Sequence, residues 1–108
     1  MIKLTSEQVR QKIQNGESFM LDFYADWCGP CKMQSNIFEQ VNKTVNETSI
    51  KIAPIYKFDV ESDRVFASEM GIRSIPTIKL YKNGQVVESV IGVIPKPQVI
   101  DKLQKLLV

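Results

Sequence analysis

The chain has 108 residues, of which 44% are hydrophobic and 24% charged, and a formal net charge of +2. That length supports one domain, 1–108, with its own core, and the composition excludes a disordered chain. Residues 1–50 carry 5 basic and 6 acidic side chains and residues 51–108 carry 9 and 6, too slight a tilt for nucleic acid or an anionic membrane, and the apolar stretches are strand-sized, too short to cross a bilayer.

Met1-Ile2-Lys3-Leu4-Thr5-Ser6-Glu7 lacks the charged-then-apolar order of a secretory signal, which makes the cytoplasm the expected compartment. Residues 2–4 suit a short edge strand. Thr5 and Gln8 then form a capping box, Val9 and Ile13 share one helix face, and Gly16 suits the residue after the helix. Residues 19–25 are almost continuously apolar, as in a strand covered on both faces. Asp22 interrupts them. It either points outward at a sheet edge or is a buried proton acceptor close to the cysteines, and in the second case burial disfavours its charge.

Trp27-Cys28-Gly29-Pro30-Cys31-Lys32 follows this strand and precedes a long helical stretch. Cys28 falls at or just before the first turn, where free backbone N–H groups and the helix dipole favour an anion, here a thiolate. Pro30 fits the first helical position, and Cys31, three residues on, faces the same side and is expected to be the less exposed. In dithiol exchange Cys28 attacks and Cys31 resolves. Two cysteines without a histidine leave a structural zinc site short of ligands unless it is shared or completed by carboxylates, and they remove Cys-His and Ser-His-Asp catalysis. A purely structural disulfide would close a very short loop and stabilise little.

Ile37, Phe38, Val41 and Val45 form the core stripe of the helix, 46–49 reads as its exit loop, and 50–59 as a strand with an irregularity at Pro54. Lys57 is either a solvated strand residue or a buried partner for Asp22. Ser62 is expected to cap a short helix with Val65, Phe66 and Met70 inward and Gly71 at its end. After Ile72-Arg73-Ser74-Ile75-Pro76-Thr77 comes an apolar strand, and Asn83-Gly84 turns it into an antiparallel partner at 85–91. Gly92 marks a place where backbone comes close to something else. Pro95 and Pro97 limit the start of a last helix whose apolar face is Val99, Ile100, Leu103, Leu106 and Leu107. The order of elements gives an α/β protein with a mixed sheet covered by helices on both sides.

Three blocks taken together resemble the thioredoxin family over essentially the whole chain. They are 22–32 with Trp27-Cys28-Gly29-Pro30-Cys31-Lys32, 71–77 with Ile75-Pro76-Thr77, and Tyr81-Lys82-Asn83-Gly84 with Gly92 beyond. The resemblance implies a thioredoxin fold, a central five-stranded mixed sheet flanked by four helices. It implies that Cys28 is the attacking thiolate and Cys31 the resolving thiol, that Asp22 moves a proton to or from Cys31 with Lys57 as its charge partner, and that Pro76 is cis. Trp27, Gly29, Pro30, Ile75, Pro76 and Gly92 would form the substrate-binding surface, with the Ile75 backbone free to pair with an extended substrate; core packing is the other reading of Trp27, but it lies outside the apolar alternation. The resemblance further implies a monomeric protein-disulfide reductase with no bound cofactor, its electrons drawn from NADPH through a flavin-dependent thioredoxin reductase. Gly29-Pro30 between the cysteines resembles reducing members rather than oxidases or isomerases, which usually have a histidine there. A disulfide oxidase or isomerase and a non-catalytic binding subunit are the alternatives. Asn36 stands where the family usually has a helix proline, Tyr24 where tryptophan is frequent and Met70 where an aromatic is frequent.

Overall fold

The structure is a computed structural model that describes residues 1–108. Its sheet has the order β1 (Ile2–Lys3), β3 (Ile55–Asp59), β2 (Phe19–Tyr24), β4 (Thr77–Lys82) and β5 (Gln85–Ile91). β2 lies at the centre, parallel to β3 and antiparallel to β4, while β1 extends the parallel side and β5 the antiparallel side. The helices are α1 (Ser6–Gln14), α2 (Gly29–Glu47), α3 (Arg64–Glu69) and α4 (Lys96–Lys105), with a 3-10 turn at Val60–Ser62.

Alternation along β2 divides the core in two. Phe19, Leu21 and Phe23 join Val9, Phe58, Phe66 and Tyr81 in one cluster on the side of α1 and α3. Met20 joins Phe38, Val41, Ile78, Leu80, Val99 and Leu103 in the other, beneath α2 and α4. Asp22 belongs to the second side by the same alternation, and it is 1% exposed, so it does not point outward.

Local signals account for most element boundaries. The Thr5–Gln8 capping box is formed in both directions. Asn83 and Gly84 have φ of 53° and 80°, the left-handed pair that a two-residue hairpin turn requires. A Cβ on Gly84 would lie 2.4 Å from the Ile13 carbonyl oxygen, so the turn also packs on the end of α1.

Several expectations are corrected. The helix α2 includes Asn46 and Glu47, two of the residues expected in its exit loop. The strand β3 begins only at Ile55: Pro54 has no N–H for a ladder, but its carbonyl accepts from Met20 N–H at 3.0 Å. Asp63, not Ser62, caps α3, accepting from Phe66 N–H. Val65 is 70% exposed and Leu107 is 53% exposed. Ala67 takes the inward place given to Val65, because Phe66 and Ala67 are the residues that pack into the aromatic cluster.

Candidate active site

The redox pair sits where β2 ends and α2 begins. Cys28 is the N-cap of α2, Gly29 its first residue and Pro30 its second, one place later than expected. Cys28 and Cys31 are joined as a disulfide with their Cα atoms 5.2 Å apart. Both are almost fully buried, at 4% and 3% exposure, so the expected contrast in exposure is absent. The Cys31 N–H donates to Cys28 Sγ at 3.2 Å. This is a capping bond with sulfur in the place of oxygen, and it aims an orphan helix N–H at the atom that carries charge when the pair is reduced.

The peptide bond from Ile75 to Pro76 is cis. The Ile75 carbonyl oxygen stands 3.9 Å from Cys28 Sγ. Trp27 is 70% exposed, which excludes core packing. Its indole N–H donates to Glu61 at 3.0 Å, and Glu61 also accepts from Arg64. These bonds, first that of Trp27, hold the Glu61 carboxyl below its ordinary value. Trp27 and Ile75 wall an open groove of about 270 Å³ with Val60, Ala67 and Ile72 along it. Gly92 is not part of that groove; it has φ of 97°, and its N–H donates to Pro76 O at 2.9 Å. A Cβ on Gly92 would meet nothing within 4 Å, so conformation and not close approach explains the glycine. Gly29 and Pro30 are exposed beside the sulfurs.

Behind the disulfide, Asp22, Tyr24, Asp26, Cys31, Ser35 and Lys57 share a small cavity of about 130 Å³. One Asp22 carboxylate oxygen has no hydrogen-bond partner. Burial pushes the Asp22 carboxyl up to about 7, against the opposing pull of the Lys57 charge. Asp22 and Lys57 are register partners in β2 and β3 but make no direct ion pair. The Lys57 ammonium instead lies 5.1 Å from the centre of the Tyr24 ring. Half-buried, it acts on Asp22 through space.

One buried polar residue escapes the sequence reading. Gln34 is 0% exposed, and its amide bonds both main-chain groups of Ile94. Its signal was a polar side chain at a stripe position, since Gln34, Phe38, Val41 and Val45 follow one another at helical spacing. Glu61 and Ser35 gave no such signal; only the fold brings them to the site.

A sheet with the cis bond, a Cys-x-x-Cys pair at a helix N-terminus and a buried carboxyl behind it define a dithiol–disulfide redox protein. Comparison with known proteins narrows this class. The family model described as Thioredoxin matches residues 1–105. A thioredoxin of Pyropia yezoensis is 36% identical over 104 residues, covering 95% of this chain and 94% of that one. The chloroplastic M-type thioredoxin of Spinacia oleracea is 42% identical over 88 residues, covering 82% of this chain but only 46% of the spinach protein. Among solved structures, a mutant thioredoxin from Halobacterium salinarum superposes with a TM-score of 0.74 at 31% identity, over 96% of this chain and 86% of that one. The chain belongs to the thioredoxin family. Cys28 and Cys31 are its active-site pair, and family and pair together support protein-disulfide reductase activity.

Proposed function

We propose that the chain is a single thioredoxin domain that serves as a general, cytoplasmic protein-disulfide reductase. The observation that carries this reading is the Cys28 sulfur at the N-cap of α2, accepting the Cys31 N–H at 3.2 Å, with an uncharged-prone carboxyl in the cavity behind. A substrate disulfide docks along the Trp27–Ile75 groove, its backbone pairing with Ile75 beside Pro76 and passing Gly29, Pro30 and Gly92. The Cys28 thiolate attacks one substrate sulfur, the substrate S–S bond breaks, and the departing sulfur leaves as a thiolate that takes a proton. Asp22 accepts the Cys31 proton across the shared cavity. The Cys31 thiolate then attacks Cys28 Sγ, forming the intramolecular disulfide and expelling the second substrate thiolate. Two electrons have moved from the Cys28–Cys31 pair to the substrate.

An Asp22 pKa near 7 suits this work, because a group half-protonated at neutral pH both takes and returns a proton. Lys57 keeps that value from rising further. The chemistry is complete in the side chains, so no bound cofactor enters it. The dithiol is restored by two electrons from NADPH delivered through a flavin-dependent thioredoxin reductase, and the reductase and oxidised proteins are the partners. The protein acts as a monomer, with neither nucleic acid nor membrane as a partner.

The potential of the pair, measured against thiol–disulfide buffers by Trp27 fluorescence, separates this reading from its rivals. The expected value is near −270 mV, the reference for thioredoxin; a value towards −180 or −120 mV, the range of isomerases and strong oxidants, would assign oxidative folding instead. The expectation for Cys28→Ser is loss of insulin reduction, and for Cys31→Ser accumulation of mixed disulfides. Function retained in a double serine variant would leave only a binding subunit.

A further inference from the structure

The segment after β5 leaves the sheet at Gly92, whose φ is 97°, and runs to α4 with no neighbouring strand to hold it. Its one buried anchor is Ile94, 3% exposed, and the group that holds Ile94 comes from the helix of the cysteines. Gln34 Nε2 donates to Ile94 O at 3.2 Å, and Ile94 N–H donates to Gln34 Oε1 at 2.6 Å. The side-chain amide thus does for Ile94 what a β-strand partner would do, pairing both its donor and its acceptor. Gln34 lies three residues beyond Cys31, on the buried side of α2.

Followed outward, these bonds close a ring around the sulfurs. From Cys31 the helix leads to Gln34, and Gln34 holds Ile94. Two residues back, Gly92 N–H donates to Pro76 O at 2.9 Å, and the adjoining Ile75 O stands 3.9 Å from Cys28 Sγ. An apolar side chain at 34 would fill the same space within the stripe of Phe38 and Val41, so packing does not require glutamine. What only the amide supplies is a fixed separation between the cysteine helix and the Gly92 backbone.

We infer that Gln34 is a positioning residue, which through Ile94, Gly92 and the buried Pro76 sets the Ile75 wall of the docking groove against the Cys28–Cys31 pair. It touches neither substrate nor sulfur. The inference rests on the reductase reading given above and adds a residue to it. Its consequence is a split by substrate size: a protein disulfide needs the groove wall in place, whereas a small disulfide needs only to reach Cys28 Sγ beside the exposed Gly29 and Pro30.

The test uses prereduced protein in single-turnover oxidation, followed by Trp27 fluorescence, with insulin as the protein disulfide and hydroxyethyl disulfide as the small one. Gln34→Leu removes both bonds, and Gln34→Glu keeps the shape and, held neutral by the burial, one acceptor and one O–H donor in place of the amide. The expected result is a rise of about fivefold or more in the half-saturating insulin concentration for Gln34→Leu, with Gln34→Glu between it and the wild type. The rate with hydroxyethyl disulfide should stay within about twofold of the wild type, since access and sulfur chemistry are untouched. Unchanged insulin saturation in folded variants overturns the inference and leaves the reductase reading intact, as does an equal loss with both substrates. Failure of both variants to fold overturns it too, by making Gln34 a residue of stability alone. Wild-type protein that does not reduce insulin at all defeats the reductase reading itself, before any variant is compared.

Discussion

Strand β2 separates two sides of the molecule that differ in kind. On the side of α1 and α3, Phe19 stacks on Tyr81 with ring centres 4.7 Å apart, and Phe58 meets Phe23 and Phe66 edge-on at 5.7 and 5.1 Å. On the side of α2 and α4, the strand offers Asp22 to a cavity, and a buried glutamine replaces an apolar residue of the helix stripe. Residues one position apart on the same strand therefore meet opposite demands. The aromatic side supplies packing that nothing in the reaction disturbs. Each side holds one buried oxygen without a partner, the Tyr81 hydroxyl on the aromatic side and an Asp22 carboxylate oxygen on the polar side. Only the polar side sets it beside an incompletely filled space next to the atoms that react. Stability on one side offsets strain of composition on the other.

Substitutions sharpen or break that contrast. The largest effect is expected on the aromatic side. Phe58→Ala empties a site that is 0% exposed between two rings and should lower stability by about 3–5 kcal/mol in urea unfolding. The rate of disulfide reduction per folded molecule should not change; a rate that falls with stability would mean that the two sides are coupled.

Asp22→Asn should do the reverse, raising stability while harming turnover. The folded carboxyl stays protonated up to about pH 7, whereas in the unfolded chain it ionises near pH 4. Between those values the unfolded state has lost the proton and the folded state has kept it, so the contribution of Asp22 is best below about pH 4 and declines up to about pH 7. Relief of this penalty by asparagine is on the order of 4 kcal/mol at pH 8 and close to nothing at pH 4. Urea unfolding of both proteins at the two pH values checks it, and a gain independent of pH would assign the effect to packing instead. In the same variant the resolving step should slow, and its rise with pH through about 7 should flatten.

The smallest effect belongs to the N-terminal cap. Thr5→Ala removes the bond accepted from Gln8 N–H and should cost about 1 kcal/mol in thermal or urea unfolding. Because α1 lies on the aromatic side, the potential and rates of the cysteine pair should remain those of the wild type.

Part of this organisation is written locally and can be read without the fold. The capping box at Thr5, the Asn83-Gly84 turn and the Cys28 cap of α2 each depend on dihedrals and hydrogen bonds within a few residues. Misreadings arise where local signals compete. Asp63 lies one residue from Ser62 and caps equally well, and packing chooses between them by turning Phe66 and Ala67 inward. Pro54 was a sign of irregularity in a strand, but only the pairing of Met20 with its carbonyl shows that the strand starts after it. The Gln34 position in the apolar stripe was visible, yet its meaning was not, because Ile94 lies 60 residues away.

The sequence by itself determined the redox pair, the helix that begins at it, and the hairpin and helices that surround it, since these rest on short-range geometry and on period. Only the tertiary structure decided that Asp22 is buried rather than at an edge, that Lys57 reaches it through space without pairing, and that Trp27 is exposed over a groove. Dielectric surroundings and long-range approach are properties of packed surfaces. They come into being when strands distant in the chain lie side by side, and no stretch of residues carries them alone.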